Sequence, residues 1–175
     1  MSSASQSVDA PLFRSAHEAL RFAYGRRSPF LDSVRFLTDM MVRRWRQTTL
    51  GMLSREERVA QAAMILAFIG RMPGAEQACI VARYTRDERR AQAEKYLTEH
   101  ARHYVTGISN VRMLAELVKR HYGKRVHLGM LARRFTVRRT VVADKRAVVE
   151  RELERIEIRA DGLLILYLQM SGLLA

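Results

Sequence analysis

The side chains best suited to specific chemistry lie between residues 127 and 150, where the chain reads HLGMLARRFTVRRTVVADKRAVVE. Arginine can donate two hydrogen bonds to guanine, and threonine can contact the methyl group of thymine. In a helix-turn-helix, the first turn of the second helix enters the major groove, whereas flanking cations bind phosphates. The residues predicted to contact DNA are Arg133, Arg134, Arg138, Arg139, Thr140, Ala143, Lys145 and Arg146.

Two helices joined by a short turn, at about 127–158, would position these side chains. Ala132 is small enough for a close helix crossing. The other residues expected to face inward are Leu128, Leu131, Phe135, Val137, Val142, Val149, Leu153 and Ile156. Thr136 stands where such turns usually carry glycine, and a left-handed backbone there would cost a threonine about 1 kcal/mol or more. A slightly different turn would avoid that cost, and an ordinary helical hairpin is the alternative interpretation.

The charge of the chain favours a polyanionic partner. Thirty-one Lys and Arg face eighteen Asp and Glu, for a net charge of +13, and the isoelectric point is near 10.9. Nucleic acid is the usual reason for such an excess. An anionic membrane is a second candidate, and an arginine-rich genome would also raise the basic content. Residues 125–159 hold ten basic residues against five acids, which cluster from Glu150 onward.

Catalytic and metal-binding patterns are weak. His100 and His103 lie one helical turn apart beside Glu99, but no third ligand is evident, so a solvated helix face is the favoured interpretation. Cys79 is the only cysteine and lies in an apolar helix, which indicates packing and not nucleophilic catalysis. A phosphate-binding glycine loop and a nucleophile elbow are both missing. We expect a cytoplasmic protein that is not an enzyme and needs no cofactor or metal.

The elements that position these residues are all predicted to be helical, because apolar residues recur at helical spacing. Capping boxes are predicted for Ser15 with Glu18, Ser54 with Glu57, and Thr85 with Glu88. We expect a flexible N-terminus at 1–12 and one helical domain over 13–175, with an inserted helical segment at about 86–125. Within that segment, residues 86–105 are polar enough to form a bridging helix. The predicted helices are 15–24, 29–47, 54–71, 73–84, 86–105, 109–122, 128–135, 138–158 and 162–173.

Two other stretches could hold an interface. A second basic surface is predicted from Arg26, Arg27, Arg43, Arg44 and Arg46. The aromatic residues of this segment are better explained by a core stripe of Phe30, Val34, Leu37, Met41 and Trp45. The C-terminal DGLLILYLQMSGLLA is apolar on more than one face. We expect it to be buried in the core, in a dimer or against a partner protein. Its run LLILYL is too short to span a bilayer.

Segments outside the 127–150 stretch resemble a known family. RSAHEALRFAYG at 14–25 and ERVAQAAMILAFIGRMPGAEQACIVARYT at 57–85 resemble phage and prophage late-gene antiterminators, the Q-type and AlpA-like proteins. Within the second stretch, RMPGAEQACIVARY resembles the helix that opens region 4 of sigma factors, which precedes a DNA-reading unit. The cysteine zinc site of some Q-type proteins is missing from this sequence.

The resemblance implies a function in transcription. Such a protein would bind double-stranded DNA near a phage-type promoter, engage paused RNA polymerase that still holds its sigma factor, and cause terminator readthrough. Two alternatives remain open. One is a dimeric helix-turn-helix repressor or activator, with the C-terminal helix as the dimer interface. The other is a DNA-packaging recognition subunit that assembles into a ring.

Overall fold

The structure is a computed structural model that describes residues 11–25, 53–105 and 107–174. These residues form helices and no strand, which confirms the predicted all-α fold class. The seven described helices are α1 (Ala16–Gly25), α2 (Arg55–Ile69), α3 (Gly74–Tyr84), α4 (Glu88–Tyr104), α5 (Val111–His121), α6 (Leu128–Arg134) and α7 (Arg139–Met170). The predicted helix at 29–47 and most of the predicted flexible N-terminus lie outside the described residues.

The described residues group into two compact units. The first unit contains residues 11–25, 53–70 and 162–174, and the second contains residues 71–161. The second unit therefore includes the predicted inserted segment and the whole of the 127–150 stretch. The expectation of one domain over 13–175 stays a prediction.

In the first unit, α1 packs against α2, and the segment just before α1 contacts the segment just after α7. The N–H of Phe13 donates to the carbonyl oxygen of Leu173 at 2.8 Å. The rings of Phe68 and Tyr167 are stacked with their centroids 4.0 Å apart. Apolar side chains from each of the three segments are buried, and the largest are Phe13, Leu20, Ile65, Ile69, Leu164 and Leu168. Burial of the last two confirms part of the expectation for the C-terminal helix.

The predicted capping box is complete at α2 and only half-formed at α1. Ser54 and Glu57 form the complete reciprocal box at the start of α2. At α1, the N–H of Glu18 donates to Ser15 Oγ at 3.2 Å, but the Glu18 carboxylate accepts from the N–H of Arg14. Both arrangements satisfy backbone N–H groups that have no partner inside the helix.

The predicted break between the helices at 138–158 and 162–173 is wrong, because α7 continues through Gly162 as one helix of 32 residues. A glycine inside a helix costs only about 1 kcal/mol relative to alanine. The hydrogen bonds of the helix and the burial of Ala160, Leu164 and Leu168 on either side outweigh that cost. The helix instead closes at Gly172, which has φ 67°.

In the second unit, α4 packs against both α3 and α5. Its buried residues include Ala93, Leu97 and Ala101, so α4 is part of a core and not a solvent-exposed bridge. The capping box predicted for Thr85 is also wrong. The Thr85 hydroxyl donates to the carbonyl oxygen of Val81 at 2.7 Å and so closes α3. Asp87 caps α4 instead, because its carboxylate accepts from the N–H of Arg89 at 3.1 Å.

Candidate nucleic-acid interface

The turn between α6 and α7 is left-handed at Thr136, whose φ is 54°. The N–H of Val137 donates to the carbonyl oxygen of Ala132 at 3.0 Å, and the N–H of Thr136 donates to that of Arg133 at 3.3 Å. These two bonds form a Schellman motif, which closes a helix with one left-handed residue, usually glycine. Thr136 thus takes the left-handed conformation that favours glycine. The alternative turn, which would avoid this backbone strain, is not formed.

Two other helix ends show the same closure with glycine. At the end of α5, Gly123 has φ 97° and the N–H of Lys124 donates to the carbonyl oxygen of Lys119 at 3.0 Å. At the end of α7, Gly172 has φ 67°, and the bond from the N–H of Leu173 to Leu168 is 2.8 Å. Thr136 is the only described residue other than glycine with a positive φ. Its strain therefore comes from the residue type and not from an unusual turn.

The residues predicted to face inward are buried to different degrees. On α7, Val142, Val149, Leu153 and Ile156 are fully buried, as predicted. On α6, Leu131 and Ala132 are buried. The other residues predicted to face inward are only half-buried, and they are Leu128, Phe135 and Val137. Helix α6 and α7 therefore share the core of the second unit, with the two ends of α6 closer to solvent than its middle.

Four arginines surround the left-handed turn, and we call them the arginine quartet: Arg133, Arg134, Arg138 and Arg139. All four are exposed, and none forms an ion pair with a residue that the structure describes. Elsewhere in the second unit, arginines pair with carboxylates. Arg83 Nη2 lies 2.7 Å from Glu157 Oε2, and Arg159 Nε lies 2.7 Å from Glu76 Oε1. The positive charge of the quartet is therefore available to an external anion.

Two members of the quartet stand at an unfavourable place for folding. Arg138 precedes α7 and Arg139 is its first residue, and the first turn of α7 has no acidic residue. The N-terminal end of a helix is electropositive, so a cation there costs about 0.3–1 kcal/mol. Stability of the folded chain does not account for these two arginines, whereas contact with an anion would.

The other predicted DNA contacts differ in their surroundings. Thr140 is exposed and Ala143 is half-buried. Lys145 Nζ donates to the carbonyl oxygen of Gly107, and Arg146 Nε donates to Glu150 Oε1 at 2.7 Å. The structure therefore brings Thr140 together with the quartet, while Lys145 and Arg146 each have a partner within the chain. The predicted second basic surface at 26–46 lies outside the described residues.

Sequence reasoning missed a group of internal ion pairs along α7. Glu157 accepts from Arg83 and lies 3.1 Å from His121 Nε2. The carboxylate of Glu157 is mostly buried, with 12% of its side chain exposed. These contacts link the middle of α7 to α3 and α5. Their partners are 74 and 36 residues away in the sequence, so no local pattern indicated them.

The candidate catalytic and metal-binding residues show no constellation of that kind in the described part of the chain. Burial, with a smaller contribution from the charge of Glu157, raises the pKa of Cys79 from 9.0 to about 12, so its thiol stays protonated near neutral pH. No group of three His, Cys, Asp or Glu among the described residues could hold a metal ion. The ring of His100 lies against Tyr104 instead, with centroids 4.6 Å apart.

None of the described helices has the length and apolar character needed to cross a bilayer. No protein-family model matches the chain, and comparison with curated proteins and with solved structures likewise found no match.

Proposed function

We propose that the chain binds double-stranded DNA in a sequence-specific manner and regulates transcription without catalysing a reaction. The arginine quartet carries this proposal. Its four exposed arginines surround one turn and form no ion pair with a described residue, and two of them stand at the electropositive end of α7. In this arrangement, α6 and α7 act as a helix-turn-helix, with the first turn of α7 in the major groove.

The members of this surface have separate roles in the proposal. Arg138, Arg139 and Thr140 start α7, so they contact base edges and select the sequence. Arg133 and Arg134 end α6 and bind phosphates, which fixes the position of the protein on the duplex. The guanidinium of Arg134 lies 5.6 Å from the ring centroid of Phe135, which limits the directions that it can take.

The charge around this surface supports the proposal. Residues 117–149 contain a single acid, Asp144. Their basic residues are Lys119, Arg120, Lys124, Arg125, Arg133, Arg134, Arg138, Arg139, Lys145 and Arg146. A stretch with this balance gives a strongly positive local potential, which attracts DNA and speeds association. Three of these cations, Lys119, Lys124 and Arg146, pair with Glu116 or Glu150 on either side of the stretch. The arginine quartet therefore contributes most to the excess that is not neutralised within the described residues.

The substitution Arg139→Ala tests base reading. We expect it to weaken binding to a selected DNA site by about 1–3 kcal/mol and to relax the sequence preference at one position. Arg151→Ala is the matched control, because Arg151 is an exposed arginine further along the same helix. Affinity is measured on the selected site and on a scrambled duplex. An equal loss on both would make Arg139 a phosphate contact, and no loss on either would remove it from the interface.

We further propose that the regulator is an antitermination factor that loads onto promoter-proximal RNA polymerase. The support is the resemblance of residues 14–25 and 57–85 to phage antiterminators. The DNA-binding surface lies elsewhere, at 133–140, so separate surfaces would serve DNA and polymerase. Arg21 on α1 and Val59 on α2 are exposed and lie within the resembling stretches.

Transcription through a terminator in vitro, paired with DNA-binding titrations, tests the second proposal. We expect Arg21→Glu with Val59→Lys to retain DNA binding and lose readthrough. Arg138→Glu with Arg139→Glu should lose loading. Proportional loss of both activities in every folded variant would contradict separate surfaces. Tight DNA binding by the native chain without readthrough would favour a repressor or activator, and light scattering would then show whether it is a dimer or a ring.

A further inference from the structure

A groove of about 310 Å³ lies in the second unit, between the end of α5, the loop that follows it and the third and fourth turns of α7. Its charged and polar lining consists of Arg120, His121, Lys124, Arg125, Arg146 and Glu150. The volume is at the lower end of the range for ligand sites, roughly 300–1,000 Å³. Only Arg146 belongs to the surface that the sequence predicted.

The positive charge of this groove is not fully neutralised within the chain. Arg146 pairs with Glu150, and Lys124 Nζ lies 3.1 Å from Glu116 Oε2. Arg120 donates to the carbonyl oxygen of Val126, which satisfies a hydrogen bond without neutralising charge. Arg125 is exposed and has no ion pair with any described residue. Glu116 also pairs with Lys119, whose Nζ lies 3.4 Å from Glu116 Oε1. The two carboxylates therefore leave at least two of the four groove cations without a neutralising partner among the described residues.

The backbone holds the loop cations in place. Gly123 takes the left-handed conformation that closes α5, and the N–H of Lys124 completes the Schellman motif. The bond from Arg120 to Val126 then ties the far end of the loop back to α5. Lys124 and Arg125 lie between these two fixed points. They therefore project from a short, constrained loop and not from a free one.

The groove continues the flank of α7 on which Arg139 stands. Arg146 comes seven residues after Arg139. Seven residues make about two turns, so the two arginines share one flank and are separated by about 10 Å along the helix axis. A duplex that met the first turn of α7 would therefore have its backbone near this flank.

We propose that this groove is a phosphate-binding site and that its phosphate belongs to the DNA backbone. Guanidinium and ammonium groups bind phosphate oxygens through charge-assisted hydrogen bonds. Apart from the His121 ring, which is hydrogen-bonded to Glu157, the described lining has no aromatic side chain on which a base could stack. Lys124 and Arg125 contact the phosphate, Arg146 shares its charge between the phosphate and Glu150, and Glu150 weakens the site. The assignment to DNA rests on the proposed function.

The salt dependence of DNA binding tests the site. The variant Lys124→Gln with Arg125→Gln removes two phosphate contacts, each of which contributes a slope of roughly 0.9 in log affinity against log salt. We expect the slope of the variant to be shallower by about 1.8 on selected and scrambled duplexes alike, by the same relation. The matched control is Arg86→Gln with Lys95→Gln, which removes the same charge from exposed positions before and within α4. Equal slopes for the two variants would overturn the site.

A substitution of opposite sign strengthens the test. Glu150→Gln removes the carboxylate from the groove and frees Arg146, so we expect tighter DNA binding and a slope steeper by about 0.9. Glu88→Gln on α4 is its control, because it removes an exposed carboxylate at a distance in sequence from the groove. Unchanged or weaker DNA binding by Glu150→Gln, with the fold intact, would contradict the role given to Glu150.

Titration of the native chain with pyrophosphate separates the two sources of phosphate. For a DNA site, we expect pyrophosphate to bind weakly and to compete with DNA in the native chain more than in the Lys124→Gln, Arg125→Gln variant. Tight pyrophosphate binding that this variant abolishes, with no change in its DNA slope, would reassign the groove to a free phosphorylated ligand. If the native chain does not bind DNA at all, the proposed function fails. If only the groove proposal fails, the native chain still binds DNA. The slope is then the same for Lys124→Gln with Arg125→Gln and for its control Arg86→Gln with Lys95→Gln.

Discussion

The left-handed residue in the turn leads to a quantitative prediction: Thr136→Gly should stabilise the protein. Thr136 has φ 54° and is exposed, so glycine would relieve backbone strain and lose little packing. A left-handed conformation costs a residue with a β-carbon about 1–2 kcal/mol. The greater freedom of glycine in the unfolded chain offsets about 0.4–1 kcal/mol of that gain. The free energy of unfolding should therefore rise by roughly 0.5–1 kcal/mol, as the difference between these two effects.

The other two Schellman closures provide the reverse substitutions. An added β-carbon at Gly123 or Gly172 would meet no atom within 4 Å. Gly123→Thr and Gly172→Thr should thus destabilise the chain through the backbone alone, by about 1 kcal/mol. Gly172 is the closer match, because its φ of 67° is near that of Thr136.

Urea unfolding and amide hydrogen exchange measure these changes. For a chain of this length, 1 kcal/mol corresponds to a Tm change of about 2–4 °C. Exchange at Val142 and Val149 reports on the second unit separately, which matters because a chain with two units need not unfold in one step. Thr140→Gly is the control, and it should destabilise by up to about 1 kcal/mol because Thr140 is helical. If Thr136→Gly destabilises as much as this control, the left-handed assignment of Thr136 is wrong.

Three further changes have defined outcomes. Arg138→Asp should raise the free energy of unfolding by about 1 kcal/mol, because a carboxylate at this position caps α7 and suits its electropositive end. The same substitution should weaken DNA binding. Parallel urea and binding titrations check both effects. Gly162→Ala should stabilise the protein by about 0.5–1 kcal/mol in urea unfolding. Gly162 lies within α7, is exposed to solvent and has open space where a β-carbon would stand. Destabilisation would contradict a continuous helix. Burial raises the pKa of Cys79 from 9.0 to about 12, so its thiol should react with iodoacetamide only on unfolding. The free energy of unfolding should fall as pH rises above 9, because the unfolded chain loses this proton first. Rapid labelling of the folded chain would contradict this prediction.

Local patterns in the sequence predicted the helices and one side of the core. The spacing of Val142, Val149, Leu153 and Ile156 indicated a buried stripe, and all four are fully buried. Apolar periodicity is readable without knowing the partner that covers it. The capping box at Ser54 was equally readable, because its hydrogen bonds span only three residues.

Features that depend on distant residues could not be predicted. Gly162 looked like a break, but burial of residues on either side of it supports a continuous helix. Thr85 has a sequence suited to a helix start, yet its hydroxyl closes the preceding helix. The groove beside α7 needs Arg120 and Arg125 near Arg146, and only the packing of α5 on the rest of the unit brings them together.

At Thr136, the backbone conformation differs from the one that threonine prefers. The sequence identified Thr136 as a position that favours glycine, and the structure gives it a positive φ. A propensity describes an average cost, and neighbouring contacts can outweigh it. Leu131 and Ala132 before the turn and Val142 after it are all buried.

The measurement that tests DNA binding most directly is the affinity of the native chain for duplex DNA as a function of salt. The arginine quartet and the net charge of +13 predict a linear decrease of log affinity with log salt. Neutralising four or more phosphates gives a slope of about −3.6 or steeper, at roughly −0.9 for each. Binding is followed by fluorescence anisotropy between 50 and 200 mM salt, the range over which such contacts have a large effect. A slope of this size, made shallower by Arg133→Gln with Arg134→Gln, is the predicted result, and a nearly flat dependence or no binding at low salt would contradict the account.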